Sequence, residues 1–466
     1  MTANSFRIAN TTGKAPAPGA SIPGGPSIFF FIRNGAALID PKRVLGVFQT
    51  IVNRWGDVVS FRSGLRERTY IVENPSVAAE IFRQQDNFIK YPNPTADLAK
   101  LQGMIGKGML ATHTDADWER HRKSLAPDFA KMTVIRRYGS VIGRHVDALL
   151  NEVVSMDAGA ENISELSMRL SGRVISDILA PGHALADQIF IDIKHILDQG
   201  ILEFHRRDFV KRAKPYKAAL RDQALRLVDV AVEKKQLPAD GLVARMMADE
   251  PHWQHDASAR ERLLDRIINM IVAGYETTAT TLNWIIYLLA ANPGVQQKLR
   301  EEILRDRLYV NPPDQVYDES TLLNRVILEA MRLYSVLWFN IRYAMEDRVI
   351  AGSMFKKGSR VMLLPYLINR DARVYSNPDG FDPDRYLRGE PSPLHPFGHG
   401  PRVCIGRTLA ELEMQHMVAG LVQRFRLEEL SRPQAVGGVL LQPDSDVTVR
   451  CALIQSSERE TTAAVG

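Results

Sequence analysis

Near its C-terminus the sequence reads Phe397-Gly398-His399-Gly400-Pro401-Arg402-Val403-Cys404-Ile405-Gly406-Arg407, and helical periodicity continues through Leu409, Leu412, Glu413 and His416. Cys404 therefore stands in a Gly/Pro-shaped loop that opens directly into a helix. Amides and the positive dipole end at a helix start stabilise an anion and lower a thiol's pKa. Arg402, two residues earlier, adds positive charge. A thiolate placed this way suits an axial metal ligand or a nucleophile, with His399 or His416 as its base. The bland alternative is a buried structural cysteine, and Cys451, in the strand-like stretch 447–454, fits that description. An arginine and three glycines held around the Cys404 sulfur suit a flat cofactor better than a hydrolase, because glycine permits close approach to the backbone.

A second unusual segment runs Asn269-Met270-Ile271-Val272-Ala273-Gly274-Tyr275-Glu276-Thr277-Thr278-Ala279-Thr280 inside a long apolar periodic stretch. Glycine in a helix interior costs about 1 kcal/mol relative to alanine, and threonine is also a poor choice there. Local inconsistencies of this kind gather at functional sites. The competing reading is a packing glycine, with threonine hydroxyls bonded back to carbonyls one turn earlier.

These residues need rigid elements to hold them. Residues 57–62 and 68–73 are β-branched and aromatic, with Ser63-Gly64-Leu65 between them, which predicts a hairpin. Asn74-Pro75-Ser76 then opens a helix that runs through Phe82. Helical periodicity marks 141–154, 221–232 and 262–290, the last closed by Asn292-Pro293, and a strand is expected at 360–364. The fold class is mainly α with small β-sheets, in one large domain over 28–455. Residues 1–27 read as an extended or disordered arm and 456–466 as a flexible tail.

Composition narrows the possibilities. Hydrophobic residues make up 45% and charged residues 24% of the 466, which excludes a fibrous or disordered chain. The net charge, 59 − 54 = +5, is too mild to imply nucleic acid. Two cysteines make no disulfide framework, so a reducing compartment is expected. The early apolar run 28–32 is far short of the ~20 residues of a membrane span. Without a secretory pattern, a cytoplasmic protein with no transmembrane anchor is expected.

Taken together, the pattern Phe-x-x-Gly-x-Arg-x-Cys-x-Gly resembles the haem-binding loop of the cytochrome P-450 family. Ala273-Gly274-Tyr275-Glu276-Thr277-Thr278 resembles that family's oxygen-binding groove, and Glu329-Ala330-Met331-Arg332 its Glu-x-x-Arg motif. The stretch Asn377-Pro378-Asp379-Gly380-Phe381-Asp382-Pro383-Asp384-Arg385-Tyr386 resembles its meander, and Trp118-Glu119-Arg120-His121-Arg122 its Trp-x-x-x-Arg signature. The resemblance spans 23–454 and is that of a soluble bacterial type. Ser335, Asn369 and Tyr386 depart from the usual Pro, His and Phe.

The resemblance implies haem b (iron protoporphyrin IX heme) with Cys404 as thiolate ligand to the iron. It implies Trp118, Arg122, Arg342 and Arg402 as partners of the propionates, with Ala273, Gly274, Phe397 and Gly406 also against the cofactor. Glu276 and Thr277 would deliver protons, and Glu329, Arg332 and Arg385 would form a structural network. Asn269, Val272, Leu337, Trp338 and Phe339 would touch a small apolar substrate (a lipid, a terpenoid or steroid, or a secondary-metabolite intermediate). A roof is expected from 93–110 and from helices around Phe204 and Phe209, and His205-Arg206-Arg207 is expected to face solvent. The implied reaction is hydroxylation or epoxidation by a monomer. Electrons would come from NAD(P)H through a separate ferredoxin or flavodoxin with its reductase, docked on a basic face at Arg120-His121-Arg122-Lys123, Arg402 and Arg407. Rival readings are a peroxide-using or rearranging haem-thiolate enzyme, a non-enzymatic haem protein and a cysteine hydrolase.

Overall fold

A computed structural model describes residues 21–63, 67–90, 92, 95–113, 115–155, 159–181, 208–212, 214–233 and 241–454. Most of the expected arm, the expected tail, Phe204 and the 205–207 run lie outside the described residues. The chain divides into two compact units. The first comprises Met1–Asn93, Leu328–Cys404 and Ala435–Asp444, and the second Pro94–Ile327, Ile405–Gln434 and Ser445–Gly466.

The first unit is built on the expected hairpin. Val58–Arg62 pairs antiparallel with Arg68–Val72, Val58 opposite Val72. Arg68–Val72 then pairs in parallel with Arg360–Leu363, which pairs antiparallel with Asn340–Ala344. Phe88–Ile89 completes this five-stranded sheet at its far edge. Side chains alternate across a strand, so Tyr70 and Val72 enter one core with Phe82, Phe88 and Phe355. Ile71 enters another with Val59, Phe48 and Trp338. The helix Pro75–Arg83 starts where its sequence says: Asn74 Oδ1 accepts from the Val77 amide at 3.0 Å, and Pro75 takes the first turn.

The second unit is organised by the helix Ala257–Ala291, which runs a turn beyond its expected start. Asp256 caps it by accepting from the Ser258 amide at 2.8 Å, and Asn292 ends it before Pro293. The helices Ile163–Leu179 and Arg407–Arg424 pack on it. Thr448–Leu453 lies between Ala160–Asn162 and Phe425–Glu429 in a small antiparallel sheet. There Cys451 is buried opposite Leu427, and burial pushes its thiol up to about 12, as suits a structural cysteine. Among the described residues no helix is long and apolar enough to cross a membrane.

Candidate active site

The loop carrying Cys404 is closed by its own backbone. The amide of Cys404 donates to the Phe397 carbonyl at 2.8 Å, that of Val403 to Gly400 at 2.9 Å, and that of Gly398 to His395 at 2.8 Å. Gly398 and Gly400 hold φ of 76° and 69°, the left-handed region that glycine enters freely. A Cβ on Gly400 would also lie 1.7 Å from the Gln85 side chain. The thiol of Cys404 is exposed. Gly406 stands at the start of Arg407–Arg424, its carbonyl accepting from Ala410 at 2.9 Å. The two histidines considered as bases are engaged elsewhere. The His399 ring lies tilted against His395 at 4.5 Å, and His416 stacks on Tyr309 at 4.5 Å with its pKa held down near 4 by burial.

Beside this loop the first unit gathers cations. Ile89 pairs with Tyr343, so Lys90 follows at the position facing Arg342 across the strand edge. Burial, then the charges of Arg342 and Arg402, bring Lys90 down to about 7. The Arg342 guanidinium lies 5.1 Å over the Phe82 ring and donates to the Ile341 carbonyl at 2.9 Å. Three gathered cations, one of them depressed by the other two, are a ready site for an anion. Lys90 escaped the sequence reading; its only signal is a cation directly after a two-residue strand.

Glu329, Arg332 and Arg385 form one network in the same unit, each with 0% exposure. Arg332 donates to both carboxylate oxygens of Glu329, at 2.9 and 2.8 Å, and Arg385 donates to Oε1 at 3.0 Å. The remaining guanidinium N–H groups meet the Asn369, Pro378, Ser376, Asn377 and Gly380 carbonyls and the Glu390 carboxylate. Tyr386 puts its hydroxyl to use, donating to Glu329 Oε2 at 2.9 Å.

In the second unit, Asp115 caps the helix Ala116–Leu125 by accepting from Trp118 N at 2.8 Å. Trp118 and Arg122 share one face, the guanidinium 5.5 Å from the ring. The expected basic face is weaker than its sequence suggests. Arg120 pairs with Asp117 at 2.9 Å, Lys123 with Glu119 at 3.6 Å, and Arg407 with Glu411 at 2.8 Å. His121 adds no charge near neutral pH, because burial and the Arg266 guanidinium hold it near 4.

Along the central helix every residue from Leu263 to Ile286 is buried except Val272, Ala273, Gly274 and Thr277. Those four mark an opening in its packing along that span. Gly274 also packs closely on one side, where a Cβ would come within 2.7 Å of Ile175 Cδ1. The Thr277 hydroxyl donates back to the Ala273 carbonyl at 2.9 Å, leaving its lone pairs to accept. Glu276 is buried.

Two of the residues read as substrate contacts are placed otherwise. Asn269 spends its whole amide on backbone, accepting from Leu110 N at 2.9 Å and donating to the Ile105 and Asp265 carbonyls at 2.9 and 2.8 Å. Trp338 is 4% exposed, donates to the Gly438 carbonyl at 2.8 Å and packs on Phe48 and Phe339, so it belongs to the core. Leu337 is 46% exposed.

The haem implied by the sequence fits what is present. An exposed thiol stands on a glycine-turned loop, and Lys90, Arg342 and Arg402 supply an anion's counter-charges. The comparisons with known proteins agree. The cytochrome P-450 family model matches residues 23–446. Cyclooctatin synthase of Streptomyces melanosporofaciens is 27% identical over 423 residues, covering 85% of this chain and 88% of that protein. The mitochondrial sterol 26-hydroxylase of Oryctolagus cuniculus is 32% identical over 239 residues, 48% of this chain and 44% of that protein, so the match spans less than half its length. The solved heme domain of cytochrome P-450DA superposes with a TM-score of 0.75 at 21% identity, covering 96% of this chain and 99% of that one.

Proposed function

Because the chain belongs to the cytochrome P-450 family, we propose that it is a haem-thiolate monooxygenase acting on a small apolar organic molecule, by hydroxylation or epoxidation. In hydroxylation the substrate RH, dioxygen, two electrons and two protons give ROH and water. The observation that carries this reading is the Cys404 loop, with its exposed thiol, two left-handed glycines and a cationic neighbourhood. When bound, haem iron held by the Cys404 thiolate would supply the activation of dioxygen.

Each residue then has a defined task. Cys404 holds the iron, and Gly398 and Gly400 keep side chains from crowding its loop. Arg342, Arg402 and Lys90 hold propionate, and the resemblance gives Trp118 and Arg122 the same task. Phe397, Gly406, Ala273 and Gly274 flank the cofactor. Thr277 accepts a hydrogen bond from water beside Ala273, and Glu276 resupplies its proton. Val272, Leu337 and Phe339 present apolar surface to the substrate. A lipid, terpenoid or steroid skeleton is supported by one relative's name, which specifies hydroxylation of a sterol. Electrons come from NAD(P)H through a separate ferredoxin or flavodoxin. With Arg120, Lys123 and Arg407 each paired to a carboxylate, docking draws on a face whose positive charge is partly neutralised.

The test is the ferrous-CO difference spectrum of the purified protein and of Cys404→His. The wild type should give the strongly red-shifted thiolate-type Soret band and the variant should lose it. A variant that kept the band would overturn the ligand assignment, and a wild type without haem would overturn the reading.

A further inference from the structure

The central helix presents Asp265, Asn269, Ala273 and Thr277 at i,i+4 spacing, hence on one stripe. The last two belong to the opening described above. The first two are covered by the segment 105–111, which follows the helix Ala96–Ile105. Its hold is specific. Asp265 Oδ2 accepts from the Lys107 amide at 2.7 Å, Asn269 Oδ1 accepts from the Leu110 amide at 2.9 Å, and Asn269 Nδ2 donates to the Ile105 carbonyl at 2.9 Å. The two glycines of the segment are seated against the same two side chains. A Cβ on Gly106 would lie 2.1 Å from the Asp265 carboxyl, and one on Gly108 would lie 2.2 Å from Asn269 Cγ. Gly106 also holds φ of 79°, which other residues rarely adopt.

The helix Lys214–Glu233 closes this arrangement from the other side. Lys217 Nζ lies 3.6 Å from Asp265 Oδ1, an oxygen with no hydrogen-bond partner among the described residues, and Arg221 donates to Glu261 at 2.9 Å. Within the segment, Ile105, Gly106, Gly108 and Ala111 are buried, while Met109 and Leu110 are only partly so. The backbone is therefore fixed by the stripe, and the Leu110 amide is tied to Asn269, one turn before Ala273, while the Met109 and Leu110 side chains stay partly open.

We propose that Asn269, with Asp265, is a positioning residue: it latches the 105–111 segment to the central helix, so that Met109 and Leu110 form a fixed wall at one end of the substrate site and limit what enters beside Thr277. This rests on the proposed function only in taking the Ala273–Thr277 stripe as lining that site. Asn269 acts through the segment and not by touching substrate. A direct contact would make Gly108 irrelevant, whereas a latch makes Gly108 and Asn269 two halves of one device.

The test compares haem-loaded wild type, Asn269→Ala, Gly108→Ala and the double variant. Amide hydrogen exchange at Leu110 and Lys107 reads the latch itself. The affinity ratio of 4-phenylimidazole to imidazole, from the Soret shift on iron ligation, reads the wall. Each single variant should speed exchange at Leu110 by about 10-fold or more, the effect of losing about 1.4 kcal/mol. Each should raise the affinity ratio while keeping the thiolate-type CO band, and the double variant should match Asn269→Ala alone. Unchanged Leu110 exchange in folded Asn269→Ala, or fully additive effects in the double variant, would overturn the latch. Should Asn269→Ala fail to fold, unchanged exchange and ratio in Gly108→Ala overturn it equally. A wild type without the thiolate-type band refutes the haem reading instead, because amide exchange still reports the latch.

Discussion

Asn369 donates its side-chain N–H to Ser335 Oγ at 3.0 Å, while its Oδ1 accepts the Leu394 amide at 2.9 Å. Ser335 Oγ donates onward to the Met331 carbonyl at 3.0 Å. Both residues are among those noted above as departing from the pattern the sequence resembles, and they are partners of one another. Asn369→Ala strands the buried Leu394 amide and should cost about 1–3 kcal/mol, Ser335→Ala about 1 kcal/mol. Their double-mutant coupling should exceed about 0.5 kcal/mol in urea unfolding. Additive losses would show the pairing to be incidental.

Glu329→Ala removes the carboxylate that two fully buried guanidiniums share. Leaving such charges uncompensated costs about 3–5 kcal/mol, so haem content per chain should fall sharply. Tyr386→Phe deletes one hydroxyl donor to the same carboxylate and should cost only about 1 kcal/mol. Normal haem incorporation in Glu329→Ala would contradict the account.

Thr277→Ala removes the hydroxyl anchored to the Ala273 carbonyl. More reducing equivalents should then leave as peroxide and fewer as product, with electron uptake continuing. Thr277→Ser, which keeps the hydroxyl, should stay near wild type. Equal coupling in all three proteins would remove Thr277 from proton delivery.

Lys90 is held near 7 by burial and by its arginine neighbours. A bound carboxylate favours the protonated amine and raises that value. Haem binding thus gains from Lys90 fully below about pH 7 and loses the gain as pH rises through the raised, bound-state value. Lys90→Met should speed haem transfer to apomyoglobin at neutral pH and flatten its rise toward alkaline pH. A Lys90→Met rate that matched wild type at every pH would exclude Lys90 from the propionate site.

Glu413 is buried, accepts from Ser171 Oγ at 2.5 Å, and burial lifts its pKa to about 7. Its folded value lies above the unfolded one, so it contributes stability below about pH 4.5 that is lost as pH rises through about 7. Glu413→Gln keeps the acceptor and abolishes the titration. Above pH 7 it should be more stable than wild type by on the order of 2 kcal/mol, with no gain at acid pH. Equal midpoints at both pH values would mean that Glu413 stays charged at no cost.

What the sequence decided by itself is local. The thiol loop, the Trp118 and Arg122 face, the Glu329 and Arg332 pair and the ends of the central helix are each set by residues within a few positions of one another. Caps, glycine turns and helical period act over that range. Tertiary structure alone decided the rest. Arg385 reaches Glu329 across 56 residues of chain, and Lys90 meets Arg342 only through strand pairing. Gly274 proves to be spaced against Ile175, Asn269 turns from substrate toward the 105–111 backbone, and Trp338 enters the core. Residue type says what a side chain is able to do. Which of its possible partners it meets is fixed by the packing of distant segments, and single-sequence periodicity carries no record of that.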